Sequence, residues 1–228
     1  MIPGSNHVVA CGNCGAMAQY RTLGTESPAF ASLWTDGCVT GPLLNPLRVL
    51  FVCRNCDRLQ WMSDVKKVRI YETWNLPDEP GDDAHVYRAP AMLVAREDHY
   101  YKALRSGMAK EKFGEIVLRT CAWRRHNDGE RACGVASLDP DLLGAPWMHL
   151  FFEEAHTENM ERLGELLSQE RGLDQILHAE ILRQSGQYGA ALDLLARAPT
   201  HIHPVLARGV RQRCEQRDSK LGEVARKR

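Results

Sequence analysis

The sequence lacks the features that would mark it for a membrane, for export or for a charged polymer. No window approaches the ~20 apolar residues needed to cross a bilayer, so a membrane is left out as a partner. The opening residues, MIPGSNHVVACGNCG, contain no basic stretch followed by an apolar run, so no secretory signal is expected. Lys and Arg number 29 and so do Asp and Glu. The zero formal net charge gives the whole molecule no bias toward polyanions. Absent too are a Ser-His-Asp set, a phosphate loop and a dinucleotide fingerprint, so an enzyme is not expected.

What is present is ordinary globular material with an unusual cysteine pattern. Hydrophobic residues make up 44% of the 228, enough for a packed core. Eight cysteines could suggest disulfides. The chain length, the missing signal and the pairing of four as C-x-x-C argue instead for a reducing cytoplasm and metal binding. Cys11-Gly12-Asn13-Cys14-Gly15 and Cys53-Arg54-Asn55-Cys56-Asp57 each supply two thiolates on a short turn. Zn²⁺ takes four ligands in a tetrahedron, and two such turns meet that requirement. The metal ligands are therefore expected to be Cys11, Cys14, Cys53 and Cys56, with Zn²⁺ as a structural cofactor. Gly15 can take a positive φ, and Asn13 and Asn55 also tolerate the left-handed region. Arg54 and Arg58 stand where they could offset the excess negative charge.

The two pairs resemble a zinc ribbon over residues 9–63, in which such turns lie at the ends of β-hairpins. The 38 residues between Cys14 and Cys53 exceed a minimal ribbon, and Asp57 replaces the usual small residue, so a distorted second turn is expected. Four organisational regions follow: a zinc-ribbon-like module at 1–74, an acidic Pro-rich linker at 75–91, a helical domain at 92–199 and a basic tail at 200–228. The fold class is α+β. Leu47–Val52, Arg58–Met62 and Val65–Tyr71 read as strands. Helices are expected at Ala95–Met108, Glu111–Arg125, Trp147–Gln169, Asp174–Ser185 and Gln187–Ala198. In the second of these, Phe113, Ile116, Val117, Thr120 and Cys121 form a stripe expected to be buried, and Asn127-Asp128-Gly129 signals its end. The tail reads as a short helix followed by a frayed end.

Residues 174–198 resemble one tetratricopeptide-type helical hairpin, carried by Gly186, Tyr188, Ala191, Leu195 and Ala198. The overall order resembles a group of uncharacterised bacterial proteins that pair a C-x-x-C zinc module with a helical region. Trp34-Thr35-Asp36-Gly37, Ala122-Trp123-Arg124-Arg125-His126-Asn127-Asp128 and Ala179-Glu180-Ile181-Leu182-Arg183-Gln184-Ser185-Gly186 carry that likeness. It implies the architecture and no activity.

The remaining candidates concern partners. A binding or adaptor role, with a protein or peptide docking on the helical region, is the expected function. Association with nucleic acid is the alternative, from Arg54, Arg58, Lys66, Lys67 and Arg69 around the second turn. Trp34, Asp36, Trp123, Arg124, Arg125 and Tyr188 are the partner-binding candidates. Trp34 to Gly37 is expected to pack an aromatic on the zinc module ahead of an Asp-Gly turn, or else to form a ligand-contacting loop. Arg119, Arg124, Arg125, His126 and Arg131 around Trp123 read as a helix end, or as an anion patch. His156, beside Glu153, Glu154 and Glu158, is expected on a solvated face, because the spacing reproduces no known ligand pair. His201 and His203 read as loop histidines, and Cys38 as a buried small residue.

Overall fold

The computed structural model describes residues 3–24, 27–42, 44, 47–72, 86, 88–132, 153–167, 172–199, 201 and 203–226. The fold is mixed α plus β: small antiparallel strands carrying the cysteine pairs, then six helices among the described residues. The chain divides into two compact units, one of Met1–Ala29 with Gly41–Ala95, the other of Phe30–Thr40 with Arg96–Arg228.

In the first unit, β1 (Pro3–Ala10) is the central strand between β2 (Met17–Leu23) and β7 (Lys66–Tyr71), both antiparallel to it. Successive strand residues point to opposite faces. Accordingly Val8 packs with Tyr71, Val86 and Ala89, whereas Val9 packs with Cys11, Ala18, Phe51, Cys53 and Val65. The central strand is thus covered on both sides. A second hairpin joins β5 (Leu50–Val52) to β6 (Leu59–Trp61). Most of the acidic segment at 75–91 lies outside the described residues. Its end is docked: the Gln19 amide donates to the Pro90 carbonyl at 2.8 Å, and the Met92 amide donates to the Gln19 carbonyl at 2.7 Å.

In the second unit, α1 (Glu97–Arg105), α2 (Lys112–Ala132), α3 (Glu153–Leu167), α4 (Leu173–Gln184), α5 (Tyr188–Arg197) and α6 (Pro204–Glu215) each pack on the next in sequence. Their shared core includes Trp123, Leu163, Leu167, Ile176, Leu195 and Val210, all fully buried. Each aliphatic side chain there contributes about 1.5–3 kcal/mol. A small sheet of β4 (Val39–Thr40), β3 (Ser32–Trp34) and β8 (Glu223–Arg226), in that order, completes the unit.

Several sequence expectations are corrected. The second helix does not stop at Asn127-Asp128-Gly129 but runs to Ala132. Asn127 and Asp128 are held there by long-range and one-turn side-chain bonds, which override their turn preference. Phe113, assigned to a buried stripe, is 74% exposed. The chain end is not frayed as far as Arg226, because β8 pairs with β3. Residues 30–40, counted within 1–74, belong to the helical unit. The start of the helix expected at Trp147 lies outside the described residues. The pair α4–α5 follows its expected limits within one residue, with Gly186 between them at φ 76°.

Candidate metal centres

The four paired cysteines converge. Cys11 to Ala16 links β1 to β2, and Cys53 to Arg58 links β5 to β6, so each pair occupies a six-residue hairpin connection. The backbone bonds repeat from one turn to the other. The Cys11 amide donates to the Ala16 carbonyl at 2.9 Å, and the Cys53 amide donates to the Arg58 carbonyl at 3.1 Å. Likewise Gly15 donates to Cys11 at 2.9 Å and Asp57 to Cys53 at 3.0 Å. Both turns close with a left-handed residue at the same place, Gly15 at φ 72° and Asp57 at φ 52°. Two expectations change here. The second turn is not distorted by Asp57, because Asp tolerates that region better than most residues. Asn13 and Asn55 are not the positive-φ residues.

Sγ of Cys11 lies 3.8 Å from Sγ of Cys56, and Sγ of Cys14 lies 3.5 Å from Sγ of Cys53. All four sulfurs fall within 4.8 Å of one another. Four sulfurs held at about 2.3 Å from a tetrahedral ion would stand about 3.8 Å apart. The thiols are therefore spaced to hold one metal ion with every tetrahedral position filled. Neighbouring polar groups face them: the Asn13 amide donates to Sγ of Cys56 at 3.5 Å. The Ala16 amide pulls the Cys14 thiol below its ordinary value, while burial pushes that of Cys53 up. Arg54 does not turn to the sulfurs; its Nε donates to the Ala91 carbonyl at 3.1 Å. Cys38, expected as a buried small residue, lies in the helical unit and is partly buried.

The three sequence segments of the bacterial likeness meet inside the helical unit. Asp36 is fully buried. Its Oδ1 accepts from the Cys38 amide at 3.0 Å, and its Oδ2 accepts from Asn127 at 3.0 Å and from Arg131 Nη2. Arg124 donates to the Asp36 carbonyl at 3.3 Å. Gly37, at φ 71°, passes so close to Leu177 and Arg124 that an added Cβ would lie 3.1 Å and 3.3 Å from their side chains. Trp123 Nε1 donates to Gln184 at 2.8 Å. Gln184 and Arg183 in turn donate to Glu180, and both members of the Arg183–Glu180 pair are fully buried. Burial pushes the Glu180 carboxyl up, against the opposing pull of the Arg183 fork.

This network relocates the partner-binding candidates. Trp34 belongs to the helical unit, and its Nε1 donates to Thr40 at 2.8 Å. Trp123 is 0% exposed, so it offers no face on which a base could stack. Arg124 is bound to Asp36, and Arg125 pairs with Asp128 at 2.9 Å. Tyr188 packs against the helical core. Their described contacts fasten the helical unit together.

A second group of donors went unnoticed in the sequence. Glu97 of α1, His126 of α2 and His156 of α3 bring three ligand atoms within 4.8 Å of one another. Nδ1 of His126 lies 3.1 Å and 3.3 Å from the two Glu97 oxygens, and Nδ1 of His156 lies 3.8 Å from one of them. The imidazole rings stack with centroids 3.5 Å apart. Tyr101 donates to Glu97 at 2.6 Å. Burial, then that hydrogen bond, pushes the Tyr101 phenol up, so it remains a donor. His156 is not on a solvated face as expected; its side chain is 17% exposed. Neither its neighbours Glu153, Glu154 and Glu158 nor the pair His201 and His203 joins a three-donor group among the described residues.

No family model, no curated protein and no solved structure matches this chain. No described helix is long and apolar enough to cross a membrane.

Proposed function

We propose that the protein is a zinc-stabilised binding protein, in which the cysteine module is a rigid structural element and the helices receive a protein or peptide partner. The observation that carries the structural half is the spacing of the four sulfurs, 3.5–3.8 Å across the two turns. Thiolates favour Zn²⁺ among common divalent ions, and four of them leave no open position for a reacting water. The ion is therefore assigned to holding the fold. Support for the helical half comes from sequentially packed helices around the α4–α5 hairpin, with small Ala191 and Ala198 buried as in a tetratricopeptide hairpin. Such stacks bury one face and present another.

The test has two parts. Metal analysis of purified protein should give one tightly held zinc per chain, lost in Cys11→Ser and Cys56→Ser. Capture from a bacterial lysate should return a defined protein that also binds when both components are purified. Replacement of the exposed Phe113 by Asp, with helical content retained, should map whether α2 contributes. A chain without stoichiometric zinc refutes the first half, and failure to reconstitute any purified pair refutes the second.

The second reading, association with nucleic acid, is favoured by one observation: Lys66, Lys67 and Arg69 are all exposed on β7, at the edge of its sheet. Charged side chains on an edge strand also deter strand-to-strand aggregation, which explains them without a ligand. Phosphate contacts would make binding fall steeply with added salt; binding without that slope removes this reading.

A further inference from the structure

We propose that Glu97, His126 and His156 form a second metal site, selective for a divalent transition ion such as Zn²⁺ and separate from the four cysteines. The donors come from three consecutive helices and meet only in the folded unit. Nothing in the cysteine module contributes, so the proposal stands or falls independently of the zinc reading above.

Donor chemistry carries the first part of the argument. Two imidazoles and one carboxylate form a ligand set used for zinc and for non-haem iron, and they are poorly suited to Ca²⁺ or Mg²⁺, which prefer oxygen. Ligand atoms bound to one such ion at about 2.0–2.2 Å stand roughly 3–3.5 Å apart. The Glu97–His126 and Glu97–His156 separations, 3.1 and 3.8 Å, fall around that range, and the three donors lie within 4.8 Å of one another. Aiming both ring nitrogens at one ion requires the parallel imidazoles to splay from their stack.

Support from the surroundings is the second part. Glu97 is 8% exposed and lies in the first turn of α1, where a carboxylate is favoured by the helix dipole. Tyr101, one turn on, is 4% exposed and donates to it at 2.6 Å. A ligating carboxylate held by a hydrogen bond from behind is the usual outer layer of a metal site. With three protein donors the ion would keep at least one position for water or a small anionic ligand, unlike the closed sulfur shell.

Cobalt substitution of the full-length protein separates the two sites. Wild type should take up two Co²⁺ per chain, one with intense sulfur-to-metal absorption and one without it. On addition of the second equivalent, the imidazole resonances of His126 and His156 should shift or broaden selectively. His126→Ala combined with His156→Ala should bind one Co²⁺ and retain the sulfur bands. Tyr101→Phe should weaken the second equivalent by about 10–100-fold. Wild type that takes up no ion outside the sulfur bands, or such an ion that survives the double substitution, overturns the proposal and leaves a hydrogen-bonded Glu–His pair. Should the double variant lose its helical melting transition, the ring resonances of the wild type decide.

Discussion

The two units solve the same problem with different means. The helical unit buries a continuous set of large side chains, from Trp123 through Leu163, Ile176 and Leu195 to Val210. Around the sulfurs the described residues of the first unit bury Val9, Ala18, Phe51 and Val65 beside two of the cysteines themselves. Small cores of that kind rarely supply enough stability alone. The comparison teaches that a metal ion can stand where apolar volume is missing, and that the cost is dependence on the ion.

The strongest way to break this contrast is to remove the proposed zinc. Chelation, or Cys56→Ser, should unfold the first unit while the helices keep their own melting transition, since structural zinc contributes roughly 10–16 kcal/mol of apparent binding energy. Circular dichroism and limited proteolysis would read the two units separately. A single shared transition would contradict it. Next in size, Asp36→Ala should destabilise the helical unit by about 3 kcal/mol, the low end for a broken buried pair, because it removes the buried carboxylate that Arg131 and Asn127 share and leaves Arg131 with Asp128. Chemical denaturation followed by far-ultraviolet signal measures this, and an effect below about 1 kcal/mol would make the network incidental.

Smaller effects sharpen the comparison within each unit. At Asp57, φ 52°, Gly should equal or exceed wild type in resisting a chelator and Ala should fall below it. The two should differ by about 1 kcal/mol. The least effect is expected from acid on Glu115. Burial pushes its carboxyl up, but Arg162 and Arg119 prevail and hold it below its ordinary value. A carboxyl with a lowered folded pKa adds stability above the unfolded value, about 4.3. That contribution is lost as the pH falls through the folded value. Glu115→Gln should therefore flatten the loss of helical stability below that pH. An unchanged pH profile would remove these ion pairs from the account.

Legibility in the sequence followed the distance over which information acts. The cysteine turns were readable because each is a five-residue pattern with a chemical requirement. The limits of α4 and α5 were readable from periodicity and Gly186. The continuation of α2 past Asn127 was not, because its cause is Asp36, far away along the chain. Trp34 was placed with the wrong unit for a similar reason: its strand partner, β8, lies near the opposite end of the sequence. Glu97, His126 and His156 are separated by many residues on three helices, so no local spacing could announce them. His126 was visible only as one cation among several arginines.

The pairing of β3 with β8 sets an order of assembly on the ribosome. All residues of the cysteine-bearing unit have been translated once Ala95 is made. Residues 32–34 must wait for 223–226 before their edge is covered. A nascent chain thus carries one edge of β3 uncovered while the intervening helices are made, and stalling between the two strands would leave that edge open after every residue of the cysteine-bearing unit has emerged.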